Sequence, residues 1–384
     1  MLGNEGPTGA AARRGSFQTG DRVQLTDAKG RHATIILQAG KTFHSHRGTF
    51  RHDQLIGQPE GVVVSTFSGT EYLALRPLLS DFVLSMPRGA TVIYPKDAGQ
   101  IVQMADIYPG ARVAEAGAGS GALTMSLLRA VGDQGWLLSV ERREEFALVA
   151  KANVESWFGG PHPAWDLRVG EMAEVLVGQQ GPGPGGLDRV VLDLLAPWEL
   201  AEACAHVLAP GGVVLAYVAT TTQLSRLVET WRGHGSFTEP MAWESMVRGW
   251  HVESLAVRPA HRMVGHTGFL VTARRMAPGF RAPERRRRPA PGARDAEGLE
   301  WNAAAFGLRE VSERKLRRLR RSATDQAGQS DEQTPPGSDQ TPPSSDQVPP
   351  SSDQTPPSSD QARPGSDQPP PSDPPEDGDS VESG

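Results

Sequence analysis

The chain has 384 residues, with 39 Lys or Arg against 45 Asp or Glu, a formal net charge of −6 and a single cysteine, Cys204. One cysteine excludes an internal disulfide framework and a cysteine-based zinc site, so no metal is expected and a reducing cytoplasm fits best. No run of about 18 apolar residues occurs and the first twenty residues hold no apolar signal core, so neither membrane insertion nor secretion is expected.

Residues 1–19 read as a flexible lead. From Gly20 to residue 74, short β-type runs (DRVQLT, ATIILQ, GVVVST) alternate with turn clusters such as Asp27-Ala28-Lys29-Gly30. They form a small β-rich N-terminal domain with no acid–base constellation of its own. Over residues 75–280 the pattern changes. Short apolar runs bounded by glycine or acids (RVAEAG, WLLSVE, RVVLDLL, GGVVLAYVAT) alternate with helix-length stretches (LTMSLLRAV, EEFALVAKANVESW, ELAEACAHVL, TTQLSRLVETW), and FLVTARR closes the series. Apolar strands alternating with helices imply a parallel sheet covered on both faces, which is a doubly wound α/β domain.

Residues 281–321 form a basic arm with 13 bases and 6 acids. Residues 322–384 carry thirteen acids and one base, Arg363, so the printed −6 conceals a tail of −12 and a remainder of +6. The tail repeats Ser, Asp, Gln and Pro with a seven-residue spacing from Asp339 to Asp367. Proline pairs exclude a coiled coil, and so few apolar residues cannot offset the entropy of ordering, so disorder is expected. The two opposite charges suggest a tail that restrains the arm.

The chemistry concentrates after the strand RVAEAG, in Gly117-Ala118-Gly119-Ser120-Gly121. Such a loop lets the backbone approach a ligand and directs amide N–H groups at it from a helix N-terminus. With Ala122 it also meets the dinucleotide fingerprint, and Glu141 stands where a ribose-binding acid belongs, so a dehydrogenase competes. Three acids favour S-adenosyl-L-methionine instead. Glu115 ends the strand two residues before the first glycine, Glu171 ends the block WDLRVGE, and Asp193 ends the fourth strand. A sulfonium cation tolerates that ring of carboxylates, whereas a pyrophosphate is repelled by it. Asp193 would lie beside the methyl donor. A carboxylate there, accepting from the exocyclic amino group of adenine, would favour positive charge developing at N1. Pro197-Trp198 would shape the pocket wall, and His266 would contact RNA or serve the scaffold. Tyr94, held extended by Pro95, would present a ring to a flipped base.

The segments VIYPKDAGQIV, EAGAGSGALT, SVERREEFA, VLDLLAPWE, YVATTTQLSRLVE and RPAHRMVGHTGFLVTARR together resemble the TrmI-type tRNA (adenine-58-N1)-methyltransferases, collinearly from about Gly20 to Arg275. The resemblance implies a Rossmann-like class I methyltransferase, usually a homotetramer, that methylates N1 of adenine 58 in the tRNA T loop. It implies that Glu115, Gly117, Ala118, Gly119, Ser120, Gly121 and Leu123 line the cofactor. Glu141 and Arg142 would serve its ribose side, Glu171 its adenine, and Gln100 would reach it from the next helix. Asp193, also within cofactor reach, would be the catalytic carboxylate and Tyr94 would position the base. Gly170-Glu171 departs from the family, which often has a small residue followed by Asp. Two other functions compete with this one: a catalytically silent tRNA-binding subunit, and a methyltransferase acting on a protein or a small molecule. The retained glycines, Glu141 and Asp193 favour an active enzyme.

Overall fold

The computed structural model describes residues 14–89 and 91–283, with Glu313, Arg314 and Arg317 beyond them. The acidic tail and nearly all of the basic arm therefore lie outside the described residues, and with them the suggested restraint of arm by tail.

The N-terminal domain is a four-stranded antiparallel sheet in the order β2-β1-β6-β5, made of β1 (Arg22–Asp27), β2 (His32–Ile36), β5 (Val62–Ser65) and β6 (Glu71–Leu75). Strands β3 (Thr42–Ser45) and β4 (Gly48–Arg51) add a hairpin. Alternation decides the sidedness: in β6, Tyr72 and Ala74 are buried while Glu71, Leu73 and Leu75 are exposed. Phe17, Val23, Leu25, Leu37, Phe50, Leu55 and Tyr72 fill the core. Phe17 corrects the lead drawn over residues 1–19. Its ring is 1 % exposed and its backbone bonds Gly57 and Gln58, so the domain begins before Gly20. An aromatic side chain in a small core removes too much apolar surface from water to be left loose.

The larger domain opens with two helices, α1 (Leu79–Ser85) and α2 (Pro95–Met104). Arg22 of the first domain docks here. Its guanidinium lies 4.8 Å from the Phe82 ring and donates to Ser156, and Phe82 stacks on Trp157. There follow β7 (Arg112–Ala116), α3 (Ala122–Val131), β8 (Trp136–Glu141), α4 (Glu144–Phe158), β9 (Trp165–Val169), α5 (Met172–Val177), β10 (Leu187–Leu192), α6 (Ala201–Val207), β11 (Leu208–Val218) and α7 (Thr221–His234). The last strands are β12 (Met241–Trp243), the hairpin β13 (Val247–Glu253) with β14 (Ala256–Val264), and β15 (Phe269–Arg274). The seven-stranded sheet runs β12-β15-β11-β10-β7-β8-β9, with β7 to β11 parallel and β15 inserted antiparallel between β11 and β12.

Its central strands read as continuous apolar runs because both faces are covered. Val190, Val191 and Leu192 of β10 are all fully buried. The strand order reverses between β7 and β10, so their carboxyl ends open a crevice, the place where such sheets bind ligands. The hairpin β13–β14 was not foreseen from the sequence. It stands away from the domain, and Trp250, Val252 and Leu255 are 61 %, 68 % and 97 % exposed. No helix among the described residues is long and apolar enough to cross a membrane.

Candidate active site

The glycine loop leaves β7 and enters α3 through Gly121, a left-handed residue at the helix N-cap. Gly117 and Gly119 also have positive φ, but for different neighbours. A Cβ on Gly117 would lie 2.7 Å from the carbonyl oxygen of Asp193, so only glycine lets the loop touch the end of β10. A Cβ on Gly119 would meet nothing nearer than the Gly117 oxygen at 4.0 Å, so the space above that glycine is open to a ligand. The Asp193 backbone N–H closes the contact by donating to Ala116 O at 2.6 Å. The cofactor loop and the proposed catalytic acid are thus one backbone unit.

Three carboxylates surround this unit. Glu115 is wholly buried between β8 and the first turn of α3, where its Oε2 accepts from Thr124 Oγ1 at 2.7 Å and Ser139 Oγ at 2.6 Å. Its Oε1 is buried and has no partner among the described residues. Burial pushes the Glu115 carboxyl up to about 7, against the two hydroxyl donors and with help from the charges of Asp193 and Glu141. Asp193 is half-buried at the crevice, and desolvation followed by the Glu141 charge pushes it to about 7 as well. Glu141, 4 % exposed, accepts from Gly119 N–H at 2.9 Å and from Arg143 N–H at 3.1 Å, so it holds the loop it flanks. Buried carboxylates that raise one another's proton affinity are the surroundings a cation relieves, and a buried acceptor without a partner suits an amino group.

The remaining candidates divide. Glu171 stands at the N-cap position of α5 and pairs with Arg142 at 3.8 Å on the rim, the two side chains 58 % and 70 % exposed. Ala118 is buried in the loop, its N–H donating to Val140 O. Ser120 turns inward, its Oγ accepting from Gly89 N–H at 3.4 Å, and Leu123 packs into the core. Those two side chains leave the crevice to the backbone, because loop and helix must be anchored on their inner side. Tyr94 is the N-cap of α2, with Gln100 half-buried further along that helix. Trp198 belongs to the core, with the Arg226 guanidinium 4.5 Å over its ring. His266 bonds Glu244 at 2.8 Å and faces Ala219 O at 3.3 Å at the end of β11. Sequence reasoning passed over Tyr217 near the end of β11. Its phenol donates to Thr267 O at 2.5 Å and is pushed up to about 12, by burial first, with the charges of Asp97, Asp193 and Tyr94 adding to it. The lone tyrosine in GGVVLAYVAT, placed where that strand reaches the crevice, was its one visible signal.

Sheet order, glycine loop and acids together define a class I, S-adenosylmethionine-dependent methyltransferase. Family models agree on both domains: one described as TrmI-like N-terminal matches residues 15–64, and one described as the tRNA methyltransferase complex GCD14 subunit matches residues 72–257. The tRNA (adenine(58)-N(1))-methyltransferase TrmI of Thermus thermophilus is 38 % identical over 251 residues, covering 65 % of this chain and 95 % of that protein. Among solved structures, a SAM-dependent O-methyltransferase from Thermotoga maritima superposes with a TM-score of 0.63 at 29 % identity, covering 68 % of this chain and 95 % of the other. The tRNA (m1A58) methyltransferase TrmI of Aquifex aeolicus gives 0.59 at 25 % identity, covering 68 % and 99 %. The chain belongs to the TrmI family of tRNA (adenine-N1)-methyltransferases.

Proposed function

We propose that this protein transfers the methyl group of S-adenosylmethionine to N1 of adenine 58 in the T loop of tRNA. The observation that carries the reading is the backbone contact between the glycine loop and Asp193, which sets a half-buried carboxylate beside the cofactor crevice. The loop N–H groups and the free Glu115 Oε1 would hold the amino-acid end of the cofactor, Glu141 its ribose, and the Arg142–Glu171 rim its adenine. When bound, the cofactor supplies an electrophilic methyl group on a sulfonium sulfur.

The chain's residues do the rest. Tyr94, fixed between Ile93 and Pro95 at the head of α2, presents its ring to the target base. Asp193, ionised, accepts a hydrogen bond from the N6 amino group. That contact orients the N1 lone pair toward the methyl group and strengthens as N1 becomes positive. No base has to remove a proton before attack, because N1 already carries its lone pair. The exposed apolar hairpin β13–β14 is the surface through which copies would assemble into the homotetramer. Incubating bulk tRNA with the protein and cofactor, then digesting it for mass spectrometry, should yield 1-methyladenosine. Methyl groups on guanine, or on protein alone, would overturn the reading.

A further inference from the structure

The feet of the hairpin β13–β14 meet the head of α2 in a buried polar cluster that shares no residue with the proposed cofactor contacts. Lys96 Nζ donates to Asp97 Oδ1, Ser245 O and Thr267 Oγ1, each at 2.7 Å. Ser245 Oγ donates to Asp97 Oδ1 at 2.8 Å and Thr267 Oγ1 to Asp97 Oδ2 at 2.6 Å. The Lys96 and Asp97 side chains are 6 % and 0 % exposed. An ion pair this deep is costly to desolvate and is weak evidence for stability, so its value is sought in the arrangement it fixes.

That arrangement reaches two tyrosines. Through Asp97 the cluster fixes the first turn of α2, whose N-cap is Tyr94, and both Asp97 N–H and Ala98 N–H bond Tyr94 O at 2.9 Å. Through Thr267 it fixes the backbone that receives the Tyr217 hydroxyl. Tyr217 in turn lies near enough to Asp193 and Tyr94 for their charges to raise its proton affinity.

We propose that Lys96, Asp97, Ser245 and Thr267 form a clasp that positions Tyr94 and Tyr217 around the target base, and so makes the base pocket depend on the foot of the hairpin. They are positioning residues, acting through the two tyrosines. The proposal rests on the tRNA-methylating function argued above. Misplacement of about 1 Å at a reacting centre can cost on the order of 100-fold, so loosening the clasp should lower turnover while sparing the glycine loop, which is held by Asp193 and Glu141 rather than by the clasp residues.

Thr267→Val removes the hydroxyl and keeps the bulk, and Thr267→Ser keeps the hydroxyl. With full-length protein and saturating tRNA, kcat of the valine variant is expected to fall about tenfold or more, within the range for a misaligned site. The serine variant should recover to near wild type. Affinity for S-adenosylhomocysteine, titrated calorimetrically, and the melting temperature should stay near wild type in both. Unchanged kcat in Thr267→Val, or a kcat that falls together with cofactor affinity and melting temperature, overturns the clasp. Wild-type protein that methylates no tRNA in the same assay overturns the functional reading instead.

Discussion

The inner and outer acids of the crevice are the same kind of residue at the same kind of place, the carboxyl ends of parallel strands, yet they live under different physics. Inside, Glu115, Glu141 and Asp193 sit around one glycine loop, buried or half-buried, and burial drives Glu115 and Asp193 to about 7. Outside, Glu171 and Arg142 face each other across 3.8 Å with more than half of each side chain in water. An exposed pair of this kind contributes little, because solvent screens it and two long side chains must be held still. Position in the fold makes both sets candidates. Burial separates the set proposed to carry chemistry from the one that lies in solvent.

The largest expected effect follows from the inner set. Asp193→Ala should lower the rate of tRNA methylation on the order of 100-fold or more, the cost of losing one preorganised polar contact in a transition state. Binding of S-adenosylhomocysteine should be nearly unchanged, because Asp193 meets the glycine loop through its backbone, which alanine keeps. Single-turnover rates beside calorimetric titration separate the two. Lost binding would move Asp193 into the cofactor shell.

A smaller effect is ionic. Glu115 and Asp193 have folded pKa values above their ordinary 4.5 and 3.8. Groups raised in this way favour the folded state most fully below the ordinary values, and that contribution is lost as pH rises through about 7. A cationic ligand reverses the trend by favouring the ionised carboxylates. Binding of S-adenosylmethionine near pH 7 should therefore release protons, and binding of uncharged-sulfur S-adenosylhomocysteine should release fewer. Calorimetry of each ligand in buffers of different ionisation enthalpy measures the difference. Equal release for the two would mean that the inner acids do not sense the sulfonium.

The smallest effect belongs to the rim. Glu171→Ala should raise the cofactor KM by only a few-fold and leave kcat alone, consistent with less than about 1 kcal/mol from an exposed polar contact. A loss as large as that of Asp193→Ala would erase the distinction between rim and interior.

Much of this was visible in the chain itself. The runs RVAEAG, WLLSVE and RVVLDLL announce buried parallel strands, and the glycines with the acids after them mark the crevice. What stayed hidden depends on distance or on the side a residue turns. Lys96 finds Ser245 and Thr267 at separations of 149 and 171 residues, which no local pattern signals. Ser120 and Leu123 lie in the motif but turn inward, because the same short loop must both face a ligand and anchor α3. The hairpin β13–β14 leaves both of its faces exposed, so it lacks the one-sided alternation by which a half-buried strand is recognised.

Methylation of one base, adenine 58, beside the inner carboxylate is tested most directly by a pair of tRNA transcripts. One carries adenine at position 58 and the other differs only in having uracil there. Methyl transfer from labelled cofactor should appear as 1-methyladenosine at position 58 of the first transcript and be lost from the second. Equal incorporation into both transcripts, or methylation that maps outside the T loop, would contradict it.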